Sequence, residues 1–204
     1  MNVIKRNYQI ELDEIIKSIK EGEKPSLLLH ACCAPCSSYC VEYLSQYFDI
    51  TLYFYNPNMD SSSEYKKRFL EFEKITERFK DVKVIYEEYS PKDFAEKIVG
   101  YEDCKEGGDR CTICYRLRLE KSMYYALEHN YDYFASTLSI SPYKDAVRLN
   151  SIGEEIAKGK NIKYLVNDFK KRGGYKRSTE LSAEMGLYRQ NFCGCVYSKK
   201  GKEV

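Results

Sequence analysis

Leu27-Leu28-Leu29-His30-Ala31-Cys32-Cys33-Ala34-Pro35-Cys36 is an apolar run that stops at three cysteines with a proline among them. Pro35 lacks the N–H that a sheet ladder needs and suits the first turn of a helix, so the chain passes from strand to helix near Ala34. Cys32 and Cys33 then stand at the carboxyl end of a strand, the edge where open α/β sheets bind ligands. The helix N-terminus that follows adds N–H donors and positive partial charge, which favour thiolate over thiol. Adjacent cysteines rarely meet the separation and dihedral of a disulfide with each other, whereas both sulfurs reach one metal. The stretch reads as a buried strand delivering thiols to a metal site.

Outward from it, the chain alternates strand and helix. Tyr8 to Glu21 has helical apolar spacing and ends at Gly22 and Pro25. Strand positions follow at Ser26 to His30, Asp49 to Asn56, Asp81 to Tyr89, Tyr131 to Thr137 and Ile162 to Phe169. Helices are expected at Pro35 to Tyr47, Glu64 to Phe79 with a cap from Ser61 to Ser63, Pro91 to Val99, Cys111 to Asn130 and Tyr143 to Lys158. The strands are too apolar to face water on one side, so the expected fold is a doubly wound α/β domain. Its five-stranded sheet should be mostly parallel, with helices on both faces. Residues 1–25 form a leading helix, 26–169 the cluster-binding α/β domain, and 170–204 a small cysteine-bearing appendage packed on it. That appendage is a basic loop, a short helix near Ser178 to Met185 and a Cys-Gly-Cys segment.

Nine cysteines in 204 residues are clustered rather than scattered as in a disulfide framework. Met1 to Ile16 has no continuous apolar core, which excludes a secretory leader or a membrane span there, and a reducing cytoplasm is the expected compartment. Net charge is +2 from 33 basic and 31 acidic residues, too balanced to announce a polyanion partner, so nucleic-acid binding must rest on local patches.

Cys111 and Cys114 form a C-x-x-C at a helix start, preceded by Arg110, and Cys193-Gly194-Cys195 forms a tighter pair. Four thiolates satisfy a tetrahedral zinc or a 4Fe-4S cluster, and Cys32, Cys33, Cys111 and Cys114 are the natural set. Cys36, Cys193 and Cys195 then point to a second metal or a redox dithiol. Cys40, one turn beyond Cys36, reads as a small buried hydrophobe, and Cys104 as a loop residue without a ligand role. His30 reads as a hydrogen-bonded residue at a strand end rather than a catalyst.

The blocks His30 to Cys36, Glu106 to Leu117, Ser136 to Lys144 and Leu187 to Ser198 resemble, as an ordered set, the signatures of the cobalamin-independent epoxyqueuosine reductases. The resemblance runs from about Ser26 to Ser198. It implies a HUP-like α/β fold, a 4Fe-4S cluster with a further mononuclear iron beside it, and the last step of queuosine synthesis on transfer RNA. It also implies that Cys32, Cys33, Cys111 and Cys114 hold the cluster and that Cys36 ligates the second iron. Cys193 and Cys195 match the family's C-G-C, either as ligands or as a dithiol. Removing an epoxide oxygen to leave an alkene takes two electrons and two protons, so the resemblance further implies an external donor such as ferredoxin or flavodoxin.

For the transfer RNA, Lys170, Lys171, Arg172, Lys176 and Arg177 surround Gly173-Gly174-Tyr175, a basic loop with an aromatic residue placed after the fifth strand. Ser141, Lys144, Arg110 and Arg189 are further candidate contacts to substrate, with Ser141-Pro142 alternatively a helix cap and Arg110 alternatively a partner of Asp109 or of the thiolates. An ATP-dependent ligase or thiolase is disfavoured because the first loop has no glycine-rich phosphate cradle and no P-loop occurs elsewhere. A zinc-stabilised nucleic-acid-binding module and a cluster-dependent thiol-disulfide reductase are the competing readings. The first leaves Cys36, Cys193 and Cys195 unexplained, and the second would act on small disulfides without RNA.

Overall fold

The protein was analysed as a computed structural model describing residues 6–199; residues 1–5 and 200–204, the outer ends of the expected leading and C-terminal segments, lie outside the described residues. Five strands, β1 (Ser26–His30), β2 (Asp49–Phe54), β3 (Lys83–Tyr86), β4 (Tyr133–Ser136) and β5 (Lys163–Tyr164), form one sheet in the order β3-β2-β1-β4-β5. Every pairing is parallel, with Leu27 opposite both Ile50 and Tyr133. The helices are α1 (Tyr8–Ser18), α2 (Ala34–Leu44), α3 (Ser62–Leu70), α4 (Phe72–Arg78), α5 (Pro91–Lys97), α6 (Asp109–Glu128), α7 (Ala146–Ala157), α8 (Gly174–Glu184) and α9 (Val196–Lys199). This is the expected doubly wound α/β architecture.

Side-chain alternation along the strands builds two cores. Leu27, Leu29, Leu52, Phe54 and Ala135 pack on one face with Val41 and Leu44 of α2 and Ile75 of α4. Leu28, Tyr53, Phe134 and Tyr164 pack on the other with Leu119 and Met123 of α6 and Leu149 and Ile152 of α7. Leu27, Leu28 and Leu29 are fully buried, each contributing about 2 kcal/mol of transfer free energy. The sheet grows outward from β1 in both directions, so its switch point lies between β1 and β4, and the carboxyl ends of those two strands open the ligand crevice.

Four elements differ from the sequence reading. The helix expected near Ser178 to Met185 begins at Gly174, after a 3-10 turn at Lys171–Gly173, so Tyr175, Lys176 and Arg177 sit on α8 rather than in a loop. The expected helix over Glu64 to Phe79 is two helices meeting at Glu71, whose carboxylate accepts Lys74 Nζ at 2.9 Å and the Tyr188 N–H at 2.8 Å. The fifth strand is two residues long because, after a last backbone bond from Leu165 N to the Phe134 carbonyl at 2.9 Å, the chain bonds to side chains instead of to a ladder. Asn150 of α7 exchanges two hydrogen bonds with the Asn167 backbone, at 2.8 and 2.9 Å, and Ser139 Oγ accepts from Phe169 N at 3.2 Å. The helix expected from Tyr143 begins at Ala146, capped by the Asp145 side chain accepting from Arg148 N at 3.1 Å. Ser141 is therefore not its cap; its hydroxyl accepts from Tyr143 N at 3.3 Å within the turn that delivers Lys144.

Candidate metal centre

The site grows from the end of β1. His30 is fully buried, and its Nδ1 lies 3.0 Å from Ser136 Oγ of β4 while Nε2 lies 2.9 Å from the Tyr55 carbonyl. A carbonyl only accepts, so Nε2 carries the proton and Ser136 donates to Nδ1, its oxygen accepting from Leu138 N at 3.2 Å. Burial, and then Arg118, push the imidazole pKa down to about 4, which keeps it neutral. His30 thus fastens β1 to β4 at the switch point, as a hydrogen-bonded strand-end residue.

Cys33 is the N-cap of α2 in extended backbone, with Pro35 in the first turn. This turn brings the sulfurs of Cys32, Cys33 and Cys36 within 4.8 Å of one another, and Cys32 Sγ lies 3.8 Å from Cys33 Sγ. Hydrogen bonding from Cys32 and Cys36 holds the Cys33 thiol well below its usual range, so the first thiolate forms there. The same Cys33 neighbour raises Cys32 to about 11, and Cys36 is raised well above normal by Cys32 and Cys33. Cys40 is fully buried and gives its S–H to the Cys36 carbonyl at 3.3 Å, a packing residue.

The second thiol-bearing turn opens α6. Gly107 has φ +85°, a left-handed conformation suited to glycine, and its N–H donates to Cys111 Sγ at 3.2 Å. Arg148 of α7 fixes this turn by donating to the Gly107 carbonyl at 2.7 Å and to Thr112 Oγ1 at 2.9 Å. Cys111, Cys114, Cys193 and Cys195 line one cavity together with Arg118 and Lys144. Burial raises the Cys114 thiol and lifts Cys195 to about 12. Lys144 Nζ donates to Cys193 Sγ at 3.1 Å; burial opposes its charge, but the facing sulfur outweighs it and its pKa is raised. The cysteines therefore divide by geometry. Cys36 joins Cys32 and Cys33, and the C-G-C joins Cys111 and Cys114.

Two arginines absent from the sequence-derived site are central to it. Arg68 of α3 and Arg118 of α6 are each 1 % exposed and rank first among the buried side chains by size. Arg68 Nε pairs with Glu64 at 2.7 Å and its Nη1 donates to the Cys193 carbonyl at 3.3 Å. Arg118 Nε donates to the Cys114 carbonyl at 3.2 Å and its Nη1 to Asn56 Oδ1 at 3.4 Å. Asn56 in turn donates to the carbonyl of Ala31, the residue before Cys32, at 2.9 Å. The helical spacing Cys111, Cys114, Arg118 was the available signal for Arg118, since these positions share one helix face. Arg68 carried no comparable signal.

The other expected contacts divide. Lys144 is in the cavity wall. Arg110 also lines it, but its Nη1 donates to the backbone carbonyls of Tyr101, Glu102 and Cys104, so it clamps that loop. Lys170 Nζ is bonded inside the fold, to the Ser139 carbonyl at 2.7 Å and the Lys144 carbonyl at 3.3 Å, which ties the loop after β4 to the segment after β5. Arg172 pairs with Asp13, Arg177 with Glu42 and Glu184, and Arg189 Nη1 with Ser182 Oγ at 3.1 Å. Most of the expected basic segment is thus engaged by the protein's own acceptors, and Lys176 also reaches Glu180 at 4.0 Å; Lys171, Tyr175 and Lys176 are its exposed residues.

Fit to a bound group can be judged from donors and orphaned atoms. Soft thiolates suit zinc, iron and iron–sulfur clusters, and seven thiols border this edge in two sets, Cys32 with Cys33 and Cys36, and the four on the cavity. Arg68 Nη2, Arg118 Nη2, Asn58 Oδ1 after β2 and Thr137 Oγ1 after β4 are buried with no hydrogen-bond partner. Buried polar atoms are rarely left unsatisfied. Donor chemistry and orphaned atoms together fit a metal-containing group.

Fold and site define a doubly wound α/β protein with a thiol-rich site, of a kind that can hold metal, at the sheet's switch point. The sequence profile of the family described as "Epoxyqueuosine reductase QueH" matches residues 27–201. The epoxyqueuosine reductase of Streptococcus pyogenes is 41% identical over 204 residues, covering 95% of this chain and 80% of that protein. The one from Staphylococcus epidermidis is 42% identical, covering 95% and 86%, and the one from Thermotoga maritima is 35% identical, covering 85% and 90%. The chain belongs to the epoxyqueuosine reductase QueH family and is an oxidoreductase. Among solved structures, the U34-tRNA thiolase NcsA from Methanococcus maripaludis with its [4Fe-4S] cluster superposes with a TM-score of 0.54. At 13% identity, covering 92% of this chain and 66% of that one, the likeness is one of fold. No helix among the described residues is long and apolar enough to cross a membrane.

Proposed function

We propose that this chain reduces epoxyqueuosine carried at the anticodon wobble position of transfer RNA to queuosine, using a 4Fe-4S cluster and a further iron. The observation that carries this reading is that the two thiol sets are tied together at one edge, since Asn56 accepts from Arg118 in the cavity wall and donates to the carbonyl of Ala31 beside Cys32. Cys32, Cys33, Cys111 and Cys114 hold the cluster. Cys36, Cys193 and Cys195 are the remaining thiols at that edge and the candidates for the further iron. The bound cluster supplies one-electron transfer at low potential, and the further iron a Lewis-acid position for the epoxide oxygen.

The reaction consumes two electrons and two protons, breaks both C–O bonds of the epoxide and releases water with the alkene. The protein's own part is to exclude water and to hold charge and orientation. Lys144 keeps an ammonium proton in the cavity wall beside Cys193, and His30 stays neutral as a strut between β1 and β4. Electrons come from a ferredoxin- or flavodoxin-like donor, and the setting is the cytoplasm. The RNA backbone is met by the exposed remainder of the basic segment, Lys171, Tyr175 and Lys176, which lies beside the ligand edge through the Lys170 anchor.

Anaerobic purification with iron, sulfide and zinc analysis, followed by turnover of epoxyqueuosine-bearing transfer RNA with a chemical reductant, tests the reading. More than about four irons with about four sulfides per chain is the expected composition. Zinc without sulfide would transfer the site to a structural role, and equal turnover of small disulfides without RNA would favour a thiol-disulfide reductase. Charge reversal at Lys171 and Lys176 together should weaken RNA binding and reduce the magnitude of its salt slope by up to about 2. Binding unaltered at low and high salt would remove this face from the interface.

A further inference from the structure

Arg118 is a fully buried cation without an anion. Its guanidinium bonds are to neutral acceptors, the Cys114 carbonyl and Asn56 Oδ1, and its Nη2 has no partner. Among the described residues no carboxylate lies within ion-pair distance of it, whereas Arg68 has Glu64 at 2.7 Å. Arginine does not deprotonate in proteins, so Arg118 cannot escape the cost of burial by becoming neutral. An uncompensated buried charge costs several kcal/mol, and a fold keeps one only where an opposite charge meets it. Arg118 lines the cavity together with Cys111, Cys114, Cys193 and Cys195. Through Asn56, which accepts from Arg118 and donates to the Ala31 carbonyl, it is also tied to the turn that carries Cys32 and Cys33.

We propose that Arg118 is the built-in counter-charge of the thiol-lined centre, a positioning residue that helps retain bound metal and makes the bound centre easier to reduce. Arg68, by contrast, has a carboxylate partner in Glu64 at 2.7 Å and donates to the Cys193 carbonyl at 3.3 Å, which seats the Cys193–Cys195 turn. The assignment rests on the thiolate-held centre proposed above. Four thiolates on a 4Fe-4S core leave a net negative charge that grows by one on reduction, and net charge and hydrogen bonds to sulfur set such potentials. A cation buried beside it favours the reduced state, which is the state that must deliver electrons to the epoxide.

Arg118→Gln removes the charge at similar length, and Arg118→Lys keeps the charge while losing the planar fork. Both variants are prepared anaerobically beside the parent, and three quantities are read. These are iron, sulfide and zinc content, metal loss to a competing chelator, and the midpoint potential of the cluster followed by electron paramagnetic resonance. The expected result is a more negative potential and about tenfold weaker metal retention in Arg118→Gln, the scale of losing a supporting contact around a metal site. Arg118→Lys should stay close to the parent on both. If Arg118→Gln is too poorly loaded for a potential, its metal loss against a retained Arg118→Lys decides the matter. Parent-like potential and retention in Arg118→Gln would overturn the assignment, and so would equal damage in both variants, which would mark shape rather than charge. A parent with zinc and no sulfide would instead refute the cluster reading, and the arginine would then be judged on zinc retention in the same two variants.

Discussion

Arg118 and Arg177 are both helical arginines, and they live under opposite electrostatics. Arg177 lies on the surface and reaches Glu42 at 2.7 Å and Glu184 at 2.7 Å. Arg118 lies in the wall of the thiol-lined cavity, with no carboxylate among the described residues within ion-pair distance and one nitrogen unsatisfied. The exposed run from Lys170 to Arg177 is conspicuous in the sequence, yet the fold answers most of it with α1, α2 and α8 carboxylates and loop carbonyls. The arginine between Leu117 and Leu119 is inconspicuous, yet the fold buries it in the wall of the thiol-lined cavity without a carboxylate partner among the described residues. Local density of charge therefore says less about function than whether the fold supplies the opposite charge.

The comparison can be broken most severely from the thiolate side. Cys114→Ala and Cys33→Ala should each strip the centre and cut turnover by roughly a thousandfold, the scale of losing about 4 kcal/mol of metal-ion stabilisation. Metal content measured beside activity checks this, since a variant that kept both would place its thiol outside the centre.

Next comes Arg68→Met, which leaves Glu64 with 12 % side-chain exposure and no partner. Removing one member of such a buried pair is expected to destabilise by about 3 kcal/mol, read by denaturant unfolding at unchanged m-value. A change below about 1 kcal/mol would mean that Glu64 finds water instead, and that Arg68 is not the seat assigned to it.

Gly194→Ala sharpens the same point from the C-terminal turn. Gly194 has φ +97°, and a Cβ there would lie 3.0 Å from Arg68 Nη2. The expected cost is about 1–3 kcal/mol, a fall of several degrees in melting temperature for a chain of this size. A double variant with Arg68→Met should recover part of that loss, because the steric share of it disappears with the guanidinium.

The smallest effect belongs to the surface. Arg177→Gln should cost no more than about 1 kcal/mol, shrinking further in high salt. Thermal denaturation at two ionic strengths measures it, and a loss above about 2 kcal/mol would show that surface and interior arginines are not so different after all.

Much of the site was legible because it is local. An apolar run ending in Cys-Cys-x-x-Cys with proline in the next turn placed β1, the start of α2 and three thiols within a few residues, and Cys33, Cys36 and Pro35 stand where that spacing put them. The C-x-x-C at the start of α6 was equally local. What failed to show was what depended on distant partners. The fifth strand stops after Tyr164 because Asn150 captures the backbone beyond it. Glu71 divides the expected long helix where Tyr188 docks. Ser141 lost the capping role to Asp145, four residues on, where side-chain choice between neighbouring polar residues is decided by the turn that positions Lys144.

By itself, then, the sequence determined the order of strands and helices, the two-faced core, the thiol-bearing turns and the family, since apolar periodicity, proline geometry and ordered motifs act over short spans of chain. The tertiary structure alone decided that Cys36 joins Cys32 and Cys33 while Cys193 and Cys195 join Cys111 and Cys114, that the basic segment is largely neutralised, and that Arg118 is buried in the wall of the thiol-lined cavity. Those facts are sums over segments brought together from α3, α6, the loop after β4 and the C-terminal turn. Charge interactions in a low-dielectric interior depend on which groups meet there, and only the folded topology determines the meeting.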